Sequence, residues 1–321
     1  MTHINAALVE SFGEPPRYRS IPAPQADARR EVAEVLAVGI HPVTRGVASG
    51  RHYASSGALP VVPGIDGVVR RADGSLAYVG GLGGGGTMAE RILIDPRSAI
   101  PVPSGADPAT VAASMNPAMS SWVALRGRVP FRAGQSVLVI GATGAAGSIA
   151  VKTARHLGAG RVVAAGRNRQ RLEQLAADGA DAIVELSPDD DATAAAFAAA
   201  AAEVDVVLDY VWGAPTELAM RAILGARTDH ARLLDWVHIG STAGPTITLD
   251  GSGLRSNALR ISGSGFGSID LRQAGLPELV AAVASGALTV RPRPVPLETI
   301  EQAWGHEDAP GERTVVIPTS A

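Results

Sequence analysis

The sequence predicts an α/β protein in which a doubly wound parallel sheet is inserted into a second, irregular β-domain. Residues 136–171 carry an apolar strand, a glycine turn, a helix and a second strand, in that order. Strands and helices alternate from there to about residue 258, and short strand-like segments rich in Gly, Pro and Val precede them. Because 321 residues have room for about two domains, we predict the inserted domain at residues 121–263 and the β-domain at residues 1–120 together with residues 264–321.

The composition excludes several classes of function. The net charge is −3 and charges of both signs are scattered along the chain, so we expect no nucleic-acid partner. No apolar run approaches the length of about 18 residues that would span a bilayer, so we expect no membrane partner. The first residues lack the features of a signal peptide, and we expect a cytoplasmic location. Cysteine is absent, which excludes disulfides and thiolate ligands for zinc.

The first strand and its turn predict a dinucleotide site. The apolar run from Val137 to Ile140 shows no alternation, as expected of a strand buried on both faces of a parallel sheet. In the turn that follows, Ala142-x-Gly144-x-x-Gly147 stands where G-x-G-x-x-G is usual. Gly144 lets the backbone approach a pyrophosphate, and Gly147 lets the helix pack close to the strand. The residues predicted to bind are Thr143, Gly144, Ala145 and Ala146; the alternative is a turn that binds nothing.

The end of the second strand, Arg161–Ala165, indicates which dinucleotide binds. A site for NAD places Asp or Glu about 20 residues after the turn, whereas a site for NADP offers arginine to the 2′-phosphate. No acidic residue lies between Ala142 and Leu172. Guanidinium groups fit a phosphate dianion, and an asparagine amide can add a donor. We therefore predict NADPH as the cofactor, bound by Gly166, Arg167, Asn168 and Arg171, and assign Arg169 to the solvated face of the next helix.

Two further apolar strands, Val204–Asp209 and Leu233–Ile239, end in polar or glycine-bearing turns. Ligands of a doubly wound sheet bind at the carboxyl ends of its strands, so both turns are predicted to face the cofactor. We predict the last strand of this sheet at Leu259–Ser262. The additional residues predicted to contact NADPH are Val211, Gly240, Ser241, Gly265 and Phe266.

Turn and capping signals predict the remaining elements. Ser120–Arg128 is predicted as a connecting helix, and Ser187 as the cap of a helix with a proline in its first turn. The elements predicted to return the chain to the β-domain are a helix at Leu276–Ser285, a strand near Thr289–Val295, a helix through Trp304 and a strand at Arg313–Ile317.

Four motifs together resemble those of a known family. They are Pro63-Gly64-Ile65-Asp66-Gly67, Gly86-Thr87-Met88-Ala89-Glu90, Gly134-Gln135-Ser136-Val137-Leu138-Val139 before the glycine turn, and Gly179-Ala180-Asp181. With them the chain resembles the zinc-free branch of the medium-chain dehydrogenase/reductase superfamily, the quinone oxidoreductase-like group. This resemblance implies a Rossmann domain inserted into a catalytic domain that resembles a GroES-like irregular β-barrel, with the active site in the cleft between them.

The chain departs from the family at the catalytic metal. The positions that hold zinc in zinc-dependent members correspond here to His41, Ile65 and Asn116. Isoleucine cannot ligate a metal, and one imidazole with a neutral amide makes a poor zinc site, so we predict no metal. Zinc-free members usually carry Asn-x-x-Asp where this chain has His41 to Thr44. We therefore expect the polarity of the substrate site near His41 and Thr44 to differ from that of the usual zinc-free members.

Without zinc to polarise a carbonyl, hydride adds most easily to an activated double bond. Quinones and α,β-unsaturated carbonyl compounds (enones and enoyl groups) meet this requirement. The resemblance places Ser49–Tyr53 at the rim of the cleft, and we predict Tyr53 and His41 as catalytic residues. The residues predicted to contact the substrate are His52, Tyr210, Trp212 and Asn116. The alternatives are that Tyr53 is a surface aromatic, that His41 is a satisfied buried histidine, and that Tyr210 and Trp212 only pack.

Three functions are compatible with the sequence. The first is an NADPH-dependent oxidoreductase of quinones or enones, and the second is a specialised biosynthetic reductase or cyclase of the same fold. The third is a non-catalytic NADPH-binding sensor or structural protein. The resemblance also implies a homodimer, because related enzymes commonly pair through the edge strands of their cofactor domains. Here we predict pairing through Leu254–Phe266, with Arg260 and Ser262 beside the seam, since this segment carries few charges to protect an open sheet edge. A monomer whose C-terminal segment covers the edge is the alternative.

Overall fold

The computed structural model describes residues 2–80, 85–265 and 274–318. Contacts divide the chain into two compact units, Met1–Asn116 with Leu276–Ala321, and Pro117–Gly275. We call them the first and the second unit. The domain boundaries proposed from the sequence, after residues 120 and 263, stay a prediction, because contact density alone does not define a domain that folds independently.

The elements of the described residues are numbered in chain order. The strands are β1 (His3–Leu8), β2 (Arg17–Pro22), β3 (Glu31–Gly39), β4 (Asp66–Arg70), β5 (Leu76–Gly80), β6 (Arg91–Ile94), β7 (Ile100–Pro101), β8 (Ser136–Ile140), β9 (Arg161–Gly166), β10 (Ala182–Glu185), β11 (Val206–Asp209), β12 (Leu234–His238), β13 (Leu259–Gly263), β14 (Arg291–Pro296) and β15 (Glu312–Ile317). The α-helices are α1 (Pro42–Ala48), α2 (Pro108–Val123), α3 (Ala145–His156), α4 (Arg169–Ala177), α5 (Asp190–Ala201), α6 (Gly213–Ala226), α7 (Gly251–Ser256), α8 (Leu276–Ala284) and α9 (Ile300–Trp304). A π-helical segment, Ala124–Arg128, follows α2, and a 3₁₀ turn, Leu297–Thr299, precedes α9.

The second unit contains a parallel sheet with the strand order β10-β9-β8-β11-β12-β13 among its described residues. This is the order of a Rossmann fold, so the predicted doubly wound sheet is confirmed. Successive side chains of β8 enter two different clusters, because Val137 and Val139 belong to one and Leu138 and Ile140 to the other. The strand is therefore buried on both faces, which explains its unbroken apolar run.

The strand order reverses between β8 and β11, and this reversal positions the candidate site. Chains leave these neighbouring strands toward helices on opposite faces of the sheet, which opens a crevice at their carboxyl ends. The turns after β8, β9, β11 and β12 all lie along that edge. The second unit by itself therefore brings together the turns that the sequence analysis selected.

The first unit contains a separate, mainly antiparallel sheet. Its described strands follow the order β14-β15-β3-β4-β5-β7, with β6 paired to β3, while β1 and β2 form a two-stranded sheet. The pair β14 and β15 is parallel. Its core is built from aliphatic side chains of β3, β4 and β15 together with Leu297, Ile300 and Ala303. The GroES-like character of this unit stays a prediction.

Two elements differ from the sequence prediction. The predicted helix Ser120–Arg128 is the end of a longer helix, α2, which begins at Pro108 and contains Pro117, and its last residues form the π-helical segment. Most of α2 is buried, so it lacks the one-sided apolar stripe that identifies a surface helix. The cap of α5 is Asp189 rather than Ser187, because the Asp189 carboxylate accepts the Ala192 N–H at 3.0 Å.

Candidate functional site

The turn between β8 and α3 leaves backbone donors free at the sheet edge. Gly144 is exposed and is the N-terminal cap of α3, and it offers no side chain to the helix. The first N–H groups of a helix have no intrahelical partner, so those of Ala145 and Ala146 are available to a ligand. A helix start without a side-chain cap fits an anionic group such as a pyrophosphate.

Gly144 and Gly147 differ in the space around them. A Cβ atom at Gly147 would overlap the carbonyl oxygen of Gly141, so the start of α3 packs directly on the turn. A Cβ atom at Gly144 would have only that same oxygen near it, at 3.4 Å. The turn is therefore closed at Gly147 and open at Gly144, as the dinucleotide prediction requires.

The end of β9 lies against this turn. A Cβ atom at Gly166 would lie 2.6 Å from Cγ2 of Thr143, so these two predicted residues are in contact. Asn168 caps α4, because its Oδ1 accepts the Arg171 N–H at 2.9 Å. The Arg171 guanidinium donates to Gln174 at 2.9 Å. The amide nitrogen of Asn168 remains as the donor that the prediction assigned to it.

The arginines after β9 have different surroundings. Arg169 donates to Glu173 at 2.8 Å and lies 3.7 Å from a carboxylate oxygen of Glu185, and these two carboxylates neutralise its charge. Arg167 is exposed and makes no hydrogen bond or ion pair with another described residue. Its charge is therefore available to a phosphate group.

A buried carboxylate, Asp209, organises the end of β11. Its Oδ1 accepts the N–H groups of Val211 and Trp212 at 2.9 and 3.0 Å. Its Oδ2 accepts the hydroxyl of Thr216 at 2.7 Å and the indole N–H of Trp236 at 3.0 Å. Four donors thus compensate a carboxylate that has no contact with solvent, and they fix the turn between β11 and α6.

Trp212 occupies a backbone conformation that is essentially reserved for glycine, with φ 54° and ψ −167°. Such a conformation costs about 1–3 kcal/mol and persists only where the surroundings enforce it. The indole ring lies 4.4 Å from the ring of His238, at 54° to it. His238 Nε2 is 2.9 Å from the Ser241 hydroxyl. The structure therefore brings the predicted residues Trp212 and Ser241 together through His238.

Asp209 and His238 were not predicted as site residues from the sequence. Both are the last residues of buried strands, and they face each other in the register of β11 and β12. A polar residue that ends an apolar strand was the available signal, but it selects a pair only once the two strands are known to be neighbours.

Tyr210 is a packed residue of this edge. Its hydroxyl is 2.9 Å from that of Ser120, and its ring belongs to a core cluster. Burial raises the pKa of Tyr210 to about 12, so its hydroxyl stays neutral at physiological pH. A Cβ atom at Gly240 would lie 2.9 Å from the Tyr210 carbonyl oxygen, which places Gly240 at the same edge. Gly265 ends the described segment after β13, and Phe266 lies outside the described residues.

The predicted residues of the first unit form two groups. His41 is buried, and its Nε2 lies 3.5 Å from Oδ1 of Asp66. The other oxygen of Asp66 accepts the buried hydroxyl of Tyr78 at 2.8 Å. Burial and the neighbouring Asp66 hold the pKa of Tyr78 well above its usual value. Neither Asp66 nor Tyr78 was predicted as a site residue from the sequence.

The second group is exposed. Tyr53 is 74% exposed and its ring lies 4.3 Å from that of His52. The Ala54 N–H donates to Nδ1 of His52 at 3.2 Å, and burial lowers the pKa of this imidazole. Asn116 is half-buried in α2. Tyr53 is therefore accessible to a ligand, whereas His52 is partly committed to its own turn.

One group of described side chains has the spacing of a metal site. Ligand atoms of His306, Asp308 and Glu312 lie within 4.8 Å of one another. However, Asp308 accepts from Arg313 at 3.1 Å, and Glu312 accepts from Arg291 at 2.6 Å. Ion pairs account for both carboxylates. The predicted absence of a metal stays a prediction.

A six-stranded Rossmann sheet with an open glycine turn defines the class of dinucleotide-binding folds. Residues 145–285 match the family described as zinc-binding dehydrogenase. The chain is 31% identical to the probable NADPH-dependent quinone reductase tdiC of Emericella nidulans, over 98% of this chain and 100% of that protein. This chain therefore belongs to the quinone oxidoreductase-like group of the medium-chain dehydrogenase/reductase superfamily.

Solved structures show the same fold. The quinone oxidoreductase of Thermus thermophilus, solved alone and with NADPH, is 25% identical and has a TM-score of 0.76 over 98% of this chain and 99% of that chain. The mycobacterial protein Rv1454c in complex with NADPH is 22% identical and has a TM-score of 0.74 over 98% of this chain and 100% of that chain.

A shorter similarity connects the chain to a much larger protein. Over 150 residues the chain is 30% identical to a mycocerosic acid synthase-like polyketide synthase of Mycobacterium tuberculosis. The matched segment is 46% of this chain and 7% of that protein. Among the described helices, none is both long and apolar enough to cross a membrane.

Two glycine variants test the geometry of the phosphate turn. Gly147→Ala is expected to lower the free energy of unfolding by about 1–3 kcal/mol, because the added methyl group overlaps the Gly141 carbonyl. Gly144→Ala is expected to leave the stability within about 0.5 kcal/mol, since φ there is −77° and the space is open. The methyl group of Gly144→Ala would lie where we expect the pyrophosphate. The Kd of this variant for NADPH is therefore expected to rise about tenfold or more.

Urea unfolding and calorimetric titration measure the two effects. A Gly144→Ala variant that binds NADPH as the native chain does would contradict the placement of the pyrophosphate at this turn. A Gly147→Ala variant of native stability would contradict the close packing of α3.

Proposed function

We propose that this protein is an NADPH-dependent oxidoreductase that transfers hydride, without zinc, to a quinone or to an α,β-unsaturated carbonyl compound. The observation that carries the proposal lies at the edge of the Rossmann sheet. There the open glycine turn after β8 contacts Gly166 at the end of β9. The next residue, Arg167, is unpaired among the described residues. The relatives support it, because the similar protein of Emericella nidulans is named an NADPH-dependent quinone reductase.

NADPH is the cofactor, and the second unit offers the groups that it needs. The backbone N–H groups of Ala145 and Ala146 suit the pyrophosphate, and Gly144, without a side chain, lets it approach them. Arg167 and the Asn168 amide suit the 2′-phosphate, since a guanidinium group forms charge-assisted hydrogen bonds with phosphate. The other residues that we propose as cofactor contacts are Thr143, Gly166, Arg171, Val211, Gly240, Ser241, Gly265 and Phe266.

NADPH supplies a hydride ion when it is bound, and the chain must position and polarise the acceptor. Negative charge then develops on a conjugated oxygen of the acceptor, where a hydrogen-bond donor lowers the barrier. Zinc independence is proposed because the chain has no cysteine and Ile65 stands at a ligand position of the zinc-dependent relatives. Activated double bonds are the acceptors that need no Lewis acid.

Two side chains of the first unit are proposed as catalytic groups. Tyr53 is accessible and carries a hydroxyl that can donate a proton or hydrogen bond. Neither His41 Nε2 nor the Asp66 Oδ1 that it faces has a hydrogen-bond partner among the described residues. Buried polar atoms without partners are uncommon in cores, which favours a role for His41 beyond packing. His52, Asn116, Tyr210 and Trp212 are the proposed substrate contacts, with the Tyr210 hydroxyl already engaged by Ser120.

A specialised biosynthetic reductase of the same fold is the second candidate. The similarity of 150 residues to a polyketide synthase favours it, because polyketide assembly is a biosynthetic process. The cofactor residues and the hydride chemistry would be the same, and only the acceptor would differ. An acceptor panel therefore has to include enoyl thioesters beside quinones.

The acceptor panel tests the proposed function. Loss of NADPH absorbance is expected with at least one soluble quinone, enone or enoyl thioester, and the activity is expected to survive prolonged chelation. No NADPH consumption with any acceptor would instead support a binding protein without turnover. Activity that disappears on chelation and returns with added zinc would refute zinc independence.

Arg167 provides the test of cofactor choice. NADPH is expected to bind more tightly than NADH by a factor of about 10–100, the equivalent of one or two charge-assisted hydrogen bonds. Arg167→Ala should remove most of this difference and leave NADH binding unchanged. Arg169→Ala is the matched control, because its guanidinium is already neutralised by Glu173 and Glu185. Equal calorimetric affinities of the native protein for both cofactors would contradict the assignment.

We also propose a homodimer that pairs through β13, the last strand of the described sheet. Leu234 N donates to Ala258 O, and Ser264 N donates to His238 O. Backbone groups alternate along a strand, so residues 258, 260, 262 and 264 point toward β12 and Ile261 points outward. An outward N–H on an edge strand can pair with a second copy.

Light scattering at micromolar concentration tests this assembly. The expected mass is twice the 32.7 kDa of one chain. Ile261→Pro removes the outward N–H and is expected to give a folded monomer. A native protein with the mass of one chain would refute the dimer, and a proline variant that still dimerises would refute pairing through this strand.

A further inference from the structure

Trp212, His238 and Ser241 form a small surface at the carboxyl ends of β11 and β12, which we call the indole–imidazole surface. The two rings are half-buried and Ser241 is exposed, so the surface is open on one side. All three residues belong to the second unit. The phosphate turn and the predicted cofactor contacts share this edge with them.

The backbone of this surface is held in an unfavourable conformation. Trp212 has the only positive φ among the described residues other than glycine. Asp209 holds it there by accepting the Val211 and Trp212 N–H groups, and Ala243 N donates to Val211 O at 2.8 Å. Strained backbone conformations of this kind concentrate at ligand sites. Where a residue only has to pack, an unstrained backbone conformation has the lower energy.

The imidazole of His238 is fixed at one nitrogen and available at the other. Nε2 lies 2.9 Å from the Ser241 hydroxyl. Nδ1 makes no hydrogen bond with another described residue. When the hydroxyl donates to Nε2, Nδ1 carries the proton and becomes a donor. The surface thus offers one flat aromatic face and one oriented N–H group beside it.

We propose that the indole–imidazole surface binds the electron acceptor of the proposed oxidoreductase, a flat conjugated carbonyl compound. This inference rests on the proposed function. The acceptor packs on the Trp212 indole, and His238 donates a hydrogen bond from Nδ1 to its carbonyl oxygen. Trp212 and His238 contact the acceptor directly, whereas Asp209 and Ser241 are positioning residues that act through them.

The chemistry favours the acceptor over the cofactor as the ligand of His238. The hydride brings two electrons, a new C–H or O–H bond forms on the acceptor, and its conjugated carbonyl oxygen becomes an anion. Solvent supplies the proton that completes the hydroquinone or the saturated carbonyl product. A donor N–H stabilises that oxyanion. Bound NADPH would supply the hydride and be left with a positive nicotinamide ring, which a donor N–H of His238 would not stabilise.

Three variants test the proposal in the full chain. Trp212→Gly removes the indole and accepts the local backbone conformation, so it is expected to fold. His238→Phe keeps a ring against the indole and loses the N–H, whereas His238→Gln restores a donor. His306→Phe, at an exposed histidine of the first unit, is the matched control. Thermal melting verifies that each variant is folded.

With 1,4-naphthoquinone as the probe, Trp212→Gly is expected to raise KM about tenfold and His238→Phe to lower kcat/KM about tenfold, the effect of one lost hydrogen bond. His238→Gln should recover part of that loss. The Kd for NADPH should stay within about twofold of the native value in all variants. Quenching of tryptophan fluorescence by the quinone, measured without NADPH, should weaken in Trp212→Gly. Of the other three tryptophans, Trp122 and Trp236 are fully buried, so only the half-buried Trp304 contributes residual quenching.

Native KM, kcat and quenching in both Trp212→Gly and His238→Phe would overturn the proposal. A raised Kd for NADPH with unchanged quinone quenching would assign the surface to the nicotinamide and overturn it as well. A native protein without turnover but with quenching that depends on Trp212 would refute the proposed oxidoreductase while supporting the binding surface.

Discussion

The contact between Gly147 and the carbonyl of Gly141 determines where α3 begins, and the other features of the sheet edge depend on it. No side chain fits between these two residues, so the helix starts directly on the end of β8. The Gly144 N–H donates to the Gly141 carbonyl within the turn, and the N–H groups of Ala145 and Ala146 are left without a side-chain cap among the described residues. The reversal of strand order beside β8 then places Gly166 on one side of this turn and Asp209 on the other.

Two buried carboxylates show how differently the two units use acidic residues. Asp209 has four donors and no unsatisfied oxygen, which makes the turn after β11 a rigid part of the sheet. Oδ1 of Asp66 has no hydrogen-bond partner in the part of the chain that the structure describes, and it faces His41 instead. Leaving a buried polar group unsatisfied costs about 1–3 kcal/mol. The first arrangement fixes a turn, whereas the second leaves two buried polar atoms, His41 Nε2 and Asp66 Oδ1, 3.5 Å apart without a hydrogen bond to any described residue.

The sequence predicted those parts of the molecule whose physical cause is local. β8 and β9 were predicted because strands buried on both faces have unbroken apolar runs, and the phosphate turn because its glycines have fixed spacing. Only the part of α2 that follows Pro117 was predicted as a helix, since a helix buried on most sides shows no apolar periodicity. His238 and Asp209 became candidates only through the pairing of β11 with β12, which no single stretch of sequence contains. The cap of α5 was misplaced by two residues because Ser187 and Asp189 both have the chemistry of a cap.

The enforced conformation of Trp212 also bears on the kinetics of binding. Its turn is tied to the sheet by hydrogen bonds that no ligand has to create, so the aromatic face that we propose for the acceptor is ordered before a ligand binds. An acceptor then loses its own freedom of motion but does not have to order a loop, which removes one of the usual costs of association. Differences in affinity between acceptors are therefore set mainly by how fast each one leaves this face. A preordered surface of this kind distinguishes acceptors by how long each one stays bound, and not by a loop that closes over the correct one.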